Sequence, residues 1–312
     1  ADNSIKGTFR KQYRMHPDIN KVIEQFYTKD GGLECGFINE DYESEGTPFS
    51  RYHGINIDGL ISPENHVIWI DTNSPEIAEG TSRTNRGEVD AIEWVLSQLA
   101  TSDSFEAYNN KFSSEEDKEI GLITFYGAQL RLLRQLQGKY SGKLTLKPSS
   151  VDRFQGMERN IVIVSLVRSN CIAENEKQAP DYRVYKELGF RKQTDFGFAK
   201  SPNRLNVALS RAKRLLIIVG NSAHYSSYKN KEGEAIYKNV FESIKTNPNG
   251  KIIHWEHKLM KKRPRPISKN RSANLNTRDI NPETDGHLRV IETWLRPNAN
   301  RTNPKIAVLE LS

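Results

Sequence analysis

The sequence predicts an α/β fold in which helices cover both faces of a parallel sheet, and three observations support this. Short apolar runs typical of buried strands recur along the 312 residues. Amphipathic stretches with helical spacing separate these runs. The alternation of the two favours parallel pairing, because a crossover helix returns the chain to the edge where the previous strand began.

The strands and helices are predicted in chain order from these patterns. Apolar runs predict strands over His66 to Asp71, Ile120 to Tyr126, Ile161 to Val167, Leu215 to Val219 and Ile252 to Ile253. Helical spacing and capping residues predict helices that follow Pro17, Asn85 and Gly127, and a further one over Glu234 to Ile244. Polar composition predicts a long loop or surface insertion over residues 28–65, a polar connection over 101–118 and a second polar insertion over 171–198.

The segment from Ser201 to Lys213 predicts a helix that presents arginines at fixed positions. Ser201 suits the N-cap and Pro202 the first turn, and apolar residues then recur every three or four positions as far as Ala212. Arg204 and Arg211 lie seven residues apart, which places both on roughly one side of such a helix. A guanidinium held this way suits a phosphoryl group in reaction. A solvated or carboxylate-paired arginine is the alternative.

Composition excludes several classes of protein. The chain has no run of 18 apolar residues and no secretory leader, and its two cysteines show no metal-binding spacing, so we expect an intracellular protein without a membrane anchor or metal ligands of its own. Gly138 to Leu144 resembles a phosphate-binding loop but has one residue too few between its glycines, and Leu144 occupies the hydroxyl position.

The basic charge is concentrated in the last part of the chain. Residues 251–312 carry 13 basic and 6 acidic residues, whereas the whole chain carries a net charge of +7. Prolines 264 and 266 prevent a helix in the Lys261 to Pro266 run. This tail is therefore either a solvated linker or a segment attracted to nucleic-acid phosphates. Because the chain opens on Ala1 almost directly before a motif, we expect it to be a piece of a longer protein.

Several motifs in a fixed order resemble one family. They are Gln12-Tyr13-Arg14-Met15-His16-Pro17, Gly80-Thr81-Ser82 with Asn85 and Glu88, Leu122 to Gln129, Val151 to Glu158 with Val167 to Asn170, and Arg204 to Lys213. Together they resemble the second RecA-like motor domain of superfamily 1 helicases, in the branch of the nonsense-mediated-decay helicase. The resemblance spans roughly residues 9–222 and implies a RecA-like domain over 1–258, with 259–312 as a basic linker or tail.

The resemblance implies an ATP site shared with a first RecA-like domain, which supplies the phosphate loop and the Mg²⁺ ligands. Arg14 and Arg211 match the two arginines that reach the γ-phosphate, and Arg211 is the arginine finger. Residues that match nucleotide contacts are Tyr126 (against adenine), Gln129, Gly156 and Glu158 (ribose hydroxyls).

The resemblance also implies a single-stranded DNA or RNA partner and movement in the 5′ to 3′ direction. Thr124, Ser150 and Asp152 match positions beside the strand, whereas Gln155 and Arg204 match positions that couple the two sites. Without the first domain, the fragment is expected to be inactive. The alternative is a non-catalytic RecA-like module that holds nucleic acid or a protein.

Overall fold

The computed structural model describes residues 10–37, 50–173, 191–192, 195–230 and 233–255. These residues all belong to the larger of the chain's two compact units, Ala1–Leu259. The basic tail and most of the connection predicted over 171–198 lie outside the described residues. No helix in the described part of the chain is both long and apolar enough to cross a membrane.

A six-stranded sheet forms the centre of the fold, and every neighbouring pair in it is parallel. Its spatial order is β12-β3-β11-β8-β6-β7. The strands are β3 (Val67–Thr72), β6 (Ile120–Thr124), β7 (Leu146–Ser150), β8 (Arg159–Ser165), β11 (Ala212–Gly220) and β12 (Gly250–Trp255). The predicted parallel α/β fold is therefore confirmed.

Helices cover both faces of this sheet. They are α1 (Pro17–Ile23), α2 (Arg86–Leu99), α3 (Asp103–Asn109), α4 (Glu115–Lys118), α5 (Gly127–Lys139), α6 (Val151–Phe154), α7 (Pro202–Leu209), α8 (Ser222–Ser226) and α9 (Ile236–Thr246). Successive side chains of a strand point to opposite faces of the sheet. Alternate residues of each strand therefore belong to two different hydrophobic cores, one on each face. Ile68 and Ile70 pack with α2 and α5, whereas Val67 and Trp69 pack with α1 and α7.

Smaller elements surround the main sheet. A two-stranded parallel ladder pairs β1 (Lys11–Gln12) with β2 (Glu34–Cys35). A second sheet has the order β10-β9-β4-β5 and consists of β4 (Glu76–Glu79), β5 (Ser82–Thr84), β9 (Cys171–Ala173) and β10 (Arg191–Lys192). Short 3-10 turns occupy Glu24–Phe26, Thr28–Asp30 and Gly197–Lys200.

Two segments predicted from their polar composition also contribute to the core. In the 28–65 segment, Ile55, Leu60 and Ile61 are almost fully buried against α2 and β3. In the 101–118 segment, α3 buries Phe105 and Tyr108. Their apolar residues follow neither a helical nor an alternating period over a long window, so local composition did not predict their burial.

Element ends also differ from the prediction. Helix α7 ends at Leu209 with Ser210 as its C-cap, and β11 already begins at Ala212. Arg211 therefore lies in the turn between them and not on the helix. Strand β8 ends at Ser165 because Val167 has a φ of +73°, a left-handed conformation that interrupts an extended strand.

Three buried histidines form a cluster where α1 meets the start of β3. The His16 and His66 rings stack with centroids 3.4 Å apart, and His53 meets His66 edge-on at 4.6 Å. Burial lowers the pKa of His16 to about 4, and lowers the pKa values of His53 and His66 to about 3. All three imidazoles are therefore neutral in the folded protein at neutral pH.

We predict that this cluster makes the fold acid-sensitive. As the pH falls from 6.5 towards 4, the unfolded chain binds protons at these rings before the folded chain does, so the free energy of unfolding decreases. Urea unfolding at several pH values tests this. The His53→Gln variant should show a flatter pH dependence than the wild type. The exposed His254 provides the control, and a His254→Gln slope as flat as that of His53→Gln would contradict the prediction.

Candidate nucleotide cleft

The pairing of β8 with β11 brings three motif residues to one edge of the sheet. Arg159 and Ala212 are register partners at the amino ends of these parallel strands. Glu158 and Arg211 directly precede them, and the amide of Arg159 donates to the carbonyl of Arg211 at 3.0 Å. The backbone amide of His16 donates to the carbonyl of Lys213 at 2.9 Å, which brings Arg14 to the same edge.

Arg14 forms an ion pair with Glu158 at this edge. The distance from Arg14 Nε to Glu158 Oε1 is 2.5 Å, and both side chains are about one-third exposed. Lys213 Nζ lies 3.7 Å from the other carboxylate oxygen. The single carboxylate thus lies between two cations, and both cations keep contact with solvent.

Arg14 and Arg211 meet at Ser210. Arg14 Nη1 donates to the Ser210 carbonyl at 3.3 Å, and Arg211 Nη2 donates to the Ser210 hydroxyl at 3.1 Å. Arg211 Nε also donates to the carbonyl of Val207 at 2.9 Å, in the last turn of α7. Burial lowers the pKa of Arg211, and the neighbouring positive charge of Arg14 lowers it further. The two guanidiniums are therefore close enough to repel each other, which favours an anion between them.

Both arginines line an open cleft of about 680 Å³. The other lining residues come from the first motif, from α1 and the turns after it, and from α7: Lys11, Gln12, Tyr13, Met15, Ile23, Tyr27, Leu33, Asn206, Val207 and Ser210. Tyr13 is 61% exposed here. A cleft with two guanidiniums and an exposed ring has the chemistry for an anionic aromatic ligand.

The backbone around Tyr13 and Arg14 is held from two sides. Gln12 Oε1 accepts from the amides of Arg14 and Met15 at 2.8 and 2.9 Å. Arg51 Nε donates to the Arg14 carbonyl at 2.6 Å, and its Nη2 donates to the Tyr13 carbonyl at 3.2 Å. These contacts use backbone atoms, so they leave the side chains of Tyr13 and Arg14 available to line the cleft.

Comparison with known proteins identifies the family. Residues 2–223 match the model of a family described as an AAA domain. The chain is 31% identical over 218 residues to "Regulator of nonsense transcripts 1 homolog" of Drosophila melanogaster, an alignment that covers 67% of this chain and 15% of that protein. It is 32% identical over 231 residues to "DNA replication ATP-dependent helicase/nuclease dna2" of Schizosaccharomyces pombe, with coverages of 70% and 14%.

A third relative is "Putative helicase mov-10-B.1" of Danio rerio, at 28% identity over 228 residues, 70% of this chain and 20% of that protein. The chain belongs to the superfamily 1 helicases. It spans no more than 20% of the length of these three relatives. The resemblance drawn from the ordered motifs is thereby confirmed at the level of the helicase family.

Gly156 and Gln155 form the turn that leads to Glu158 in this helicase domain. Gly156 has a φ of +86°, a conformation that suits glycine and lets the chain turn from α6 into β8. Gln155 is exposed beside it. Gly156 lies two residues before Glu158, at the edge of the sheet where Arg14 and Arg211 meet. The coupling role of Gln155 remains a prediction.

Two predicted nucleotide contacts lie in the interior instead, which corrects the expectation for them. Tyr126 is 2% exposed, and its hydroxyl accepts from Arg168 Nη1 at 3.3 Å and from the Phe198 amide at 3.2 Å. Gln129 is fully buried and bonds to both backbone groups of Asn85 and to the Ser165 hydroxyl. A buried ring has no free face for adenine, and the Gln129 amide is already used inside the domain.

A buried carboxyl group extends this internal network. Glu88 accepts from the Ser165 hydroxyl at 2.6 Å and from the Val167 amide at 2.9 Å. Burial raises the pKa of Glu88 to about 8. Asn85 Nδ2 donates to the Val167 carbonyl at 3.1 Å, so Val167 is held in its left-handed conformation from both of its backbone groups. The motif residues Asn85 and Glu88 are thus structural parts of the carboxyl edge of β8.

The predicted nucleic-acid residues lie at the opposite edge of the sheet, where β6 and β7 end. Thr124 and Ser150 are register partners there. Thr124 is fully buried, and its role beside a nucleic-acid strand stays a prediction. Ser150 is half-buried. Asp152 is exposed and pairs with Arg204 at 3.1 Å, so these two lie at an accessible surface.

Sequence reasoning missed Tyr13 as a residue that lines the cleft, Lys213 as a partner of Glu158 and Arg51 as a support of the nearby backbone. Tyr13 lies within one recognised motif and Lys213 ends another. The sequence therefore offered an aromatic ring and an extra cation as indications of residues near the site. Arg51 had none, because it lies in a polar segment and its partners are backbone carbonyls 37 and 38 residues earlier.

We predict that Gln129 stabilises the fold. The Gln129→Ala substitution leaves the buried Asn85 backbone amide unpaired and removes one partner each from the Asn85 carbonyl and the Ser165 hydroxyl, so it should lower the free energy of unfolding by about 2 kcal/mol. Gln155→Ala, at an exposed glutamine, should change it by less than about 0.5 kcal/mol. Urea denaturation of both variants measures the difference. Equal free energies of unfolding for the two variants would contradict this structural role of Gln129.

Proposed function

We propose that this chain is the second RecA-like domain of an ATP-driven superfamily 1 helicase or translocase, and that it supplies two arginines to an ATP site. The observation that carries the proposal is the meeting of Arg14 and Arg211 at Ser210, on the wall of one open cleft. Glu158, which pairs with Arg14, offsets only part of the positive charge of the two guanidiniums, so an anionic ligand in the cleft would stabilise them further.

The charges of the cleft suit a triphosphate. Arg211 is the proposed arginine finger, and Arg14 the second contact to the γ-phosphate. Glu158 holds Arg14 in the present arrangement at 2.5 Å. A phosphate can take the place of this carboxylate, and Glu158 can then accept hydrogen bonds from the ribose hydroxyls. Guanidiniums directed at the transferred group stabilise the charge that develops as its bond to the leaving phosphate breaks.

The rest of the ATP site is proposed to lie on another domain. The sequence has no phosphate-binding loop, and in the described part of the chain no three His, Cys, Asp or Glu side chains are grouped to hold a metal ion. The phosphate loop and the Mg²⁺ ligands are thus expected on a first RecA-like domain. ATP would draw the two domains together, and hydrolysis would release them.

The proposed substrate is single-stranded DNA or RNA, moved in the 5′ to 3′ direction that the family resemblance implies. Unwinding of duplexes that carry either a 5′ or a 3′ single-stranded overhang distinguishes the two directions. The competing proposal of a non-catalytic module requires that the parent protein bind its partner without ATP turnover, which the next experiment measures.

We predict that this chain alone has no ATPase activity and that Arg211→Ala lowers kcat of the two-domain protein by about 10³-fold, with little change in ATP binding. Arg211→Lys should lose most of this rate too, because an ammonium lacks the planar fork of donors. The exposed Arg134 on α5 provides the matched control, and Arg134→Ala should keep the wild-type kcat. Turnover by the isolated chain, or normal kcat in Arg211→Ala, would refute the proposal.

We predict that Tyr13, and not Tyr126, stacks on the adenine base. Tyr13→Ala should weaken ATP binding about tenfold while leaving the binding of inorganic triphosphate unchanged, because only ATP has a ring to stack. Tyr13→Phe should bind ATP as the wild type does. Calorimetric titration of the two-domain protein with ATP and with inorganic triphosphate tests this. Equal losses for ATP and triphosphate in Tyr13→Ala would indicate a general disturbance of the cleft.

A further inference from the structure

The carboxyl edge of the sheet presents a second exposed aromatic ring. Among the described residues, only Tyr13 and Phe198 are large hydrophobic side chains classed as exposed, and Phe198 is 49% exposed. Tyr13 belongs to the cleft at the amino ends of β8 and β11. Phe198 lies in the 3-10 turn Gly197–Lys200 that precedes α7, on the side of the sheet where α7 begins. The nucleotide cleft therefore does not account for it.

Buried side chains hold the turn that contains Phe198 in place. The Phe198 amide donates to the Tyr126 hydroxyl at 3.2 Å, and the two ring centroids are 5.4 Å apart. Tyr126 in turn bonds to Arg168, which is 3% exposed and paired at 2.9 Å with the fully buried Glu76. An ionic and aromatic network inside the domain thus supports an exposed ring, which loses little freedom when a ligand contacts it.

Gly197 packs directly against the Tyr126 hydroxyl and the Arg168 guanidinium. It has a φ of +50°, and a Cβ atom at this position would lie 2.3 Å from the Tyr126 hydroxyl and 2.4 Å from Arg168 Nη1. The left-handed φ and the lack of room for a Cβ atom both require glycine at this position, so the conformation of the backbone before Phe198 is fixed. The position of the ring is therefore set by the fold and not by a flexible loop.

Arg204 places a positive charge beside this ring. Its guanidinium carbon lies 5.3 Å from the Phe198 ring centroid, and its Nη2 pairs at 3.1 Å with Asp152. The side chains of Arg204 and Asp152 are 39% and 64% exposed. An ion pair this exposed contributes little stability, so a phosphate can compete with Asp152 for the guanidinium at small cost.

We propose that Phe198 and Arg204 form a stacking platform for single-stranded nucleic acid, in which the ring stacks on an unpaired base and the guanidinium contacts the neighbouring phosphate. This inference rests on the proposed function, since it takes nucleic acid as the ligand. A ring beside a guanidinium suits a nucleotide unit, because the base is planar and the phosphate is anionic. An unpaired strand is favoured over a duplex, because paired bases are already stacked on each other.

The test measures the binding of a fluorescent oligothymidylate to the 312-residue chain by anisotropy, beside an oligomer of the same length with abasic sites throughout. Phe198→Ala should weaken binding to oligothymidylate about tenfold and leave binding to the abasic oligomer unchanged. Phe198→Trp should bind at least as tightly as the wild type. Retained binding of the abasic oligomer shows in the same experiment that the variant is folded.

Arg204 is expected to act through the phosphates. Arg204→Ala should weaken binding to both oligomers and reduce the slope of log affinity against log salt by about 1. Arg134→Ala, which removes an exposed arginine from α5, should leave both affinities and the slope unchanged.

Three results would overturn the platform: no binding of the oligothymidylate by the wild-type chain, equal affinity of Phe198→Ala and wild type, or an equal loss on the abasic oligomer. The second result is expected if another protein segment covers the ring. Failure here is separable from failure of the proposed function, because nucleotide binding in the Tyr13 and Arg211 variants is measured without any oligonucleotide.

Discussion

The parallel pairing of β8 with β11 is the constraint on which the candidate site depends. Parallel strands begin at the same edge of a sheet, so the residues that precede them are brought together however far apart they lie in the sequence. Glu158 and Arg211 occupy these positions, and the hydrogen bond between the backbones of Arg159 and Arg211 sets their relative height. The ion pair with Arg14 and the contacts to Ser210 follow from this arrangement.

The two edges of the sheet have different chemistry. The amino edge of β8 and β11 has an open cleft lined by Arg14 and Arg211, and Glu158 beside it pairs with Arg14 and lies near Lys213. The carboxyl edge has a buried network around Glu88 and Gln129.

The fold was largely predictable because hydrophobic periodicity is a local property. Four strands of the main sheet, β3, β6, β8 and β11, bury apolar runs. Five of the six strands were predicted from apolar runs; β7, which contains Lys147 and Pro148, was missed. The buried part of the 28–65 segment was missed as well, because Ile55, Leu60 and Ile61 are spaced by loop geometry and not by a helix or strand period. Their burial depends on the distant residues of α2 and β3 that cover them.

The sequence by itself determined the fold class, the helicase family and two of the residues that line the cleft, Arg14 and Arg211, since ordered motifs and periodicity are read along the chain. Only the tertiary structure decided which motif residues face the cleft. Tyr126 and Gln129 belong to motifs as specific as those of Arg14 and Arg211, yet they are buried and bonded within the domain. The reason is physical: a motif specifies a residue's place in the chain, but exposure depends on which distant side chains pack over it.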